Sequence, residues 1–339
     1  MMYVVLVAGL VLLVVGGGLL VHGAVALARR LQISAVIIGM FIVGFGTSAP
    51  ELTICLDAAL AGKSGLALGT VIGSNIANVL LVLGLCALIY PLRVTPRTVC
   101  RDGLLMLAGT ILFLGFAWNG VIVRAEGAFM VGALLVYAAY AIWVERFRGD
   151  PAAEVHIHEA EAFADGPRSL TACLAALVAG LGGVLLGAEL VVQGAVEIAR
   201  ELRVPEVAIG LSLVALGTSL PELAIGVIAV ARRQGDIIVG NVLGSNLFNL
   251  LGIMGTTALA TPIGVPESIL AFDVWVMTGV VVVFLIFLLT GWRLNRLEGG
   301  ILFAAYLAYL AVVFLGDPLG LTAMAGETAA DGHRGMAPG

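Results

Sequence analysis

The phrase GTSAPEL at residues 46–52 returns as GTSLPEL at residues 217–223, 171 positions later, and both copies sit inside apolar segments. Asn78, in GSNIANVL (73–80), follows Glu51 by 27 residues, and Asn249, in GSNLFNLL (244–251), follows Glu222 by the same 27. An acid, two hydroxyls and a helix-breaking proline are costly in lipid. Finding the set twice at one spacing constrains the fold to a duplicated membrane protein whose halves share one polar site. Gly23 and Gly194, Arg29 and Arg200, Gly39 and Gly210, and Asp102 and Asp273 keep the same spacing, so the repeat extends well beyond the two phrases.

The rest of the chain agrees with a bilayer as solvent. Of its 339 residues 61% are hydrophobic and only 12% charged, against about a quarter charged in soluble domains. Ten apolar segments are predicted as helices: 2–28, 35–61, 67–90, 103–123, 126–145, 170–199, 206–231, 238–261, 270–291 and 299–315. The first basic residue is Arg29, so 2–28 reads as a spanning helix and not a cleaved leader. The expected fold is an all-α polytopic membrane protein of ten transmembrane helices. Residues 1–145 form the first five-helix repeat, 146–169 a polar linker, 170–315 the second repeat, and 316–339 a disordered tail rich in Gly, Ala and Pro. An odd number of helices per repeat makes the second repeat enter from the opposite side, so the repeats are inverted.

Charge sets the orientation. Twelve of the 17 Lys and Arg, among them Arg29, Arg93, Arg232 and Arg293, fall on one side of this topology; Lys63, Arg124, Arg200, Arg203 and Arg334 fall on the other. The richer side is expected to be cytoplasmic. That places the linker in the cytoplasm, and the tail and both termini outside a cell membrane. The net charge of −5 is spread over loops and points to no nucleic-acid partner. Cys55, Cys86, Cys100 and Cys173 lack a metal or redox spacing and read as packing residues. No nucleophile–base pair, phosphate loop or nucleotide motif is present, so neither an enzyme nor a cofactor is expected, and nothing calls for an obligatory protein partner. The expected partners are the lipid bilayer and cations.

The polar residues gather at one depth. Thr47, Ser48 and Glu51 share a helix face, and Pro50 deprives the carbonyl of Gly46 of its helical partner, so the helix should kink there. Ser74 and Asn78 lie one turn apart on the next helix, with Asn75 beside them. Glu51 and Asn78 are each about 13 residues from the turn at Gly62–Gly65, or about 20 Å along antiparallel helices, which puts both near the midplane. Thr218, Ser219, Glu222, Ser245 and Asn249 repeat the pattern from the other face. The site then offers two carboxylates, hydroxyls, amide oxygens and freed carbonyls, with no His or Cys at repeated positions. Such hard oxygen ligands suit Ca²⁺, which takes six to eight of them, and the same oxygens suit Na⁺ in competition. Thr, Ser, Gly and Asn taken singly often only glue membrane helices together, but two symmetry-related Glu inside spans point to function.

On GTSxPEL and GSNxxN, each present twice, the chain resembles the cation/Ca²⁺ exchanger superfamily, most closely its prokaryotic sodium/calcium exchanger-like branch. The resemblance covers essentially all ten helices. It implies ion sites at the centre and a sliding of the first and sixth helices past the core. Residue by residue, it implies Glu51 and Glu222 as shared Ca²⁺/Na⁺ carboxylates and Thr47 and Thr218 as carbonyl donors. Ser48, Ser74, Ser219 and Ser245 would be hydroxyl ligands for Na⁺, and Asn78 an amide ligand. Asn249 stands where several relatives, including potassium-dependent ones, carry Asp. This disfavours K⁺ coupling. The expected activity is Na⁺/Ca²⁺ antiport by alternating access; the alternatives are a H⁺/Ca²⁺ or other cation/H⁺ exchanger and a passive cation channel. An intramembrane hydrolase is disfavoured, because GxGD and HExxH are absent. His22 and Gln193 read as hydrogen-bonded packing residues or as lining an access path, Glu189 as lying near the outer interface or facing a vestibule, and His156, His158, Glu159 and Glu161 as a solvated linker or a regulatory metal site.

Overall fold

The computed structural model describes residues 2–31, 33, 35–96, 99–148, 169–201 and 217–315. The helices are α1 (Met2–Leu31), α2 in two arms (Val36–Thr47 and Ala49–Leu60), α3 (Ser64–Ile89), α4 (Val99–Ala117) and α5 (Arg124–Arg148), followed by α6 (Leu170–Glu201), α7 (Leu220–Ala231), α8 (Gly235–Ala260), α9 (Ile269–Leu289) and α10 (Arg296–Leu315). Among the described residues, eight helices are long and apolar enough to cross a membrane; the arms of α2, bent by 43°, make a ninth if counted as one span. α7 is a shorter apolar helix, and the upstream part of its expected span, 206–216, lies outside the described residues. So do 149–168, with His156, His158, Glu159 and Glu161, and the tail 316–339.

The fold is all-helical, as expected, apart from one small addition. Four two-residue strands join the ends of the halves: β1 (Leu92–Arg93) pairs antiparallel with β4 (Arg293–Leu294), and β2 (Val121–Ile122) with β3 (Ile263–Gly264). They also move helix ends. The segment expected to be helical to 123 stops at Ala117, and Gly120, at φ 77°, turns the chain into β2. Such a positive φ suits glycine, which has no Cβ to clash.

Each pairing crosses between the halves, and the offset of about 171 carries one pairing onto the other. The helix ends obey the same exchange. The Arg124 guanidinium donates to the carbonyl of Ala260 at the end of α8 (3.2 Å), and Arg296 donates to that of Ile89 at the end of α3 (3.1 Å). Both cations cover orphan carbonyls at a negative helix end. Glu126 and Glu298 each accept from the backbone N–H three residues back, at 2.8 Å, as in a capping box.

The hairpins point in opposite directions. The α2–α3 turn lies beside Pro266, just past β3, since a Cβ added at Gly65 would meet it at 3.4 Å. The α7–α8 turn lies beside Leu92 of β1, 3.6 Å from a Cβ added at Gly235. α3 and α8 therefore run antiparallel. α1 and α6 do so as well, along a seam of glycines: a Cβ at Gly9 would meet the Val191 nitrogen at 2.7 Å, at Gly16 that of Val184 at 2.7 Å, and at Gly23 that of Leu177 at 3.0 Å. From α6, Gly187 faces the Leu13 nitrogen and Gly194 that of Leu6, at 2.7 and 2.9 Å. In lipid, association rests on such close packing, because hydrocarbon offers no hydrophobic drive between helices.

The repeated acids near the starts of α4 and α9 anchor α5 and α10. Asp102, fully buried, accepts from Tyr137 at 2.7 Å and from the Arg101 guanidinium, while Asp273 accepts from Tyr309 at 3.0 Å. Tyr137→Phe is expected to cost about 1.5–3 kcal/mol, the worth of a hydrogen bond to a charged group. The check is a lower melting temperature in detergent.

Candidate cation site

Proline sets the local backbone. Pro50 and Pro221 each lie in the first turn of a helix, where a missing N–H costs nothing. The residue two before each, Ser48 (φ −86°, ψ 6°) and Ser219 (φ −93°, ψ 0°), occupies the N-cap position without a side-chain capping bond. The kink expected at Pro50 is the 43° bend of α2. It places Glu51 and Glu222 in the first turns of Ala49–Leu60 and Leu220–Ala231, at the positive ends of their helices. α3 and α8 widen into π-helical turns at Asn78–Leu83 and Phe248–Ile253, a distortion common at functional sites. Sequence reasoning missed these turns, because an apolar run looks the same in either helix type.

Of the ten residues expected at the site, Thr218 is half-buried and the other nine are buried. Glu51, Glu222, Asn78 and Asn249 have no exposure at all. The structure brings several of them together, two of the three contacts crossing between the halves. Ser48 donates to Glu222 Oε1 at 3.5 Å, Ser74 to Glu51 Oε1 at 3.4 Å, and the Asn249 amide to Ser74 Oγ at 3.3 Å. The two serine contacts are long for hydroxyl donors. Among the described residues no Lys or Arg pairs with either carboxylate.

The hydroxyls do not follow the two-fold pattern. Thr47 and Ser245 both donate to the carbonyl of Gly44 at 3.2 Å, and Ser219 Oγ is buried without a partner. Donation leaves the lone pairs of Thr47 and Ser245 free to accept a cation.

Four acceptor oxygens stand out. Glu51 Oε2, Glu222 Oε2, Asn78 Oδ1 and Asn249 Oδ1 are buried with no hydrogen-bond partner. They form two repeat-related pairs. Native structures rarely leave such atoms bare, and a buried unpaired carboxylate is more costly still. A bound cation would give such acceptors a partner. No group of three or more His, Cys, Asp or Glu occurs among the described residues, so the donor set is two carboxylates plus neutral oxygens.

Residues outside the expected set also matter. Asn246 is buried against Asn75 and Asn78; its repetition of Asn75 within GSN was the available signal. Asn241, fully buried with both amide atoms unpartnered, had none, because the repeat puts Thr70 opposite it. Gln193 donates to Glu189 at 3.1 Å on an exposed face of α6. Cys55, Cys86 and Cys173 are buried.

Comparisons with known proteins identify the family. A family model described as sodium/calcium exchanger protein matches residues 1–143 and 173–315. The chain is 35% identical over 309 residues to the putative antiporter CaxA of Alkalimonas amylolytica, covering 90% of this chain and 96% of that one. It is 34% identical over 350 residues to the sodium/calcium exchanger MaX1 of Methanosarcina acetivorans, covering 92% and 98%. The solved structure of the sodium-calcium exchanger NCX_Mj superposes with a TM-score of 0.79 at 28% identity, covering 92% of this chain and 98% of that one.

Proposed function

The chain belongs to the sodium/calcium exchanger protein family, and from that membership and its buried oxygens we propose that it is a Na⁺/Ca²⁺ antiporter working by alternating access. The four partnerless oxygens of Glu51, Glu222, Asn78 and Asn249 carry the reading. Two carboxylates balance one Ca²⁺, and hydroxyls and the carbonyls of Thr47 and Thr218 extend the shell toward the six to eight oxygens that ion takes. Na⁺ ions draw on the same two charges. Ca²⁺ and Na⁺ therefore exclude each other from the site, and the carrier crosses with one cargo or the other.

The antiparallel pairs α1/α6 and α3/α8 support an arrangement of ten spans in two inverted five-helix repeats. Arg93 and Arg293, paired across β1 and β4, share an end with the α7–α8 turn and its Arg232 and Arg233. This richer end is the cytoplasmic one, and both chain termini lie outside.

The test is ⁴⁵Ca²⁺ uptake into proteoliposomes. An outward Na⁺ gradient should drive accumulation above equilibrium, and collapsing it should stop uptake. Accumulation that needs a pH gradient and ignores Na⁺ would replace this reading with H⁺ coupling. A Ca²⁺ leak without counter-transport would make the protein a channel.

A further inference from the structure

A carboxamide is an ambiguous ligand. One end is an oxygen that binds a cation and the other an NH₂ that repels it, and the two have nearly the same shape. Asn78 and Asn249 serve a cation only if something fixes which end faces the site. We propose that Asn75 and Asn246 are positioning residues that do this, each acting on the ligand of the opposite half. The proposal rests on the cation-site reading above.

The fixing is a chain of forced choices that begins at backbone carbonyls, which can only accept. The Asn75 side-chain NH₂ donates to the carbonyl of Asn246 at 3.3 Å, and the Asn246 NH₂ to the carbonyl of Asn75 at 3.4 Å. Methionine sulfurs back the same ends: Met277 lies 3.8 Å from the Asn75 nitrogen and Met106 3.7 Å from that of Asn246. A thioether is also only an acceptor. With their nitrogens committed, Asn75 and Asn246 turn their Oδ1 atoms outward.

Those oxygens can only be met by donors. Asn78 Nδ2 donates to Asn246 Oδ1 and Asn249 Nδ2 to Asn75 Oδ1, both at 3.0 Å. The nitrogen of each ligand amide is thereby consumed, and the Oδ1 atoms left over are the two found without partners. Asn75 and Asn246 are buried at 2% and 1% exposure, so bulk water does not replace either bond. The orientation thus follows from the network. It also crosses the halves twice, so neither repeat can orient its own ligand.

The experiment is a double-mutant cycle read by ⁴⁵Ca²⁺ binding to the purified full-length protein, with melting temperature monitored. Asn246→Leu removes the acceptor and frees Asn78 to turn its NH₂ inward, which should weaken Ca²⁺ binding about tenfold. In an Asn78→Asp background the ligand has no donor end, so Asn246→Leu should cost nothing or improve binding by removing a facing oxygen. Asn75→Leu with and without Asn249→Asp repeats the cycle from the other half. Asn246→Ser, smaller and too short to reach Asn78, serves where the leucine does not fold. Equal losses in both backgrounds would reduce Asn246 to packing and overturn the proposal. Binding indifferent to Glu51→Gln and Asn78→Ala would instead overturn the cation site itself.

Discussion

Glu51→Gln is expected to lower Na⁺-driven Ca²⁺ flux by a factor of about 10²–10³, and Glu222→Gln by as much. Glutamine keeps the shape and one oxygen but removes a charge and turns a possible NH₂ toward the ion. Truncating one partner of a buried charged assembly costs roughly 3–5 kcal/mol, and each 1.4 kcal/mol is a factor of about ten. Among the described residues no other carboxylate joins this pair, so no neighbour supplies the missing charge. The double variant should be little worse than either single one, since the two act as a unit. Asp57→Asn, on an exposed face of the same arm of α2, is the control and should leave flux within about twofold, as surface changes usually do. Wild-type flux in either glutamine variant would remove these acids from the mechanism.

Gly244→Ala should give the largest loss of stability, about 3 kcal/mol or more. A Cβ there would strike the carbonyl oxygen and Cα of Met40, and one at Gly240 the backbone of Val36. Overpacking usually costs 1–3 kcal/mol because side chains yield. Here the obstacle is backbone within or beside the π-helical turn Gly39–Gly44, the same turn whose Gly44 carbonyl receives Thr47 and Ser245. Melting in detergent should fall by several degrees, and transport should fall with it because α2 carries Glu51. Gly182→Ala, whose Cβ meets nothing within 4 Å, should leave both unchanged. An unaltered melting temperature in Gly244→Ala would mean that α2 and α8 are not held backbone to backbone.

The sequence spoke most clearly where a residue is expensive. An acid in a span, a proline beside it and an amide one hairpin away are each unfavourable alone, so their repetition pointed to one shared polar centre. The same logic found Asp102 and Asp273, whose tyrosine partners were not legible because tyrosine is at home in any apolar helix. The four strands were too short to leave an alternating pattern, and π-helical turns leave none in an unbroken apolar run. The hydroxyls differ between the two copies: Ser74 reaches Glu51, while Ser245 turns to the Gly44 carbonyl. Equivalent sequence does not impose equivalent rotamers when packing around the two copies differs. Asn246 was visible as a repeated letter, but its use depends on which atoms of the other half stand opposite, and a single chain read in order does not reveal that.

The glycine seam between α1 and α6 has a mechanical consequence. With backbone lying on backbone there is no slack for the two to part, so one helix from each half is fused into a single girder. A girder leaning toward one face of the membrane cannot lean toward the other. For the alternating access proposed above, opening one mouth would then shut the opposite one by rigidity.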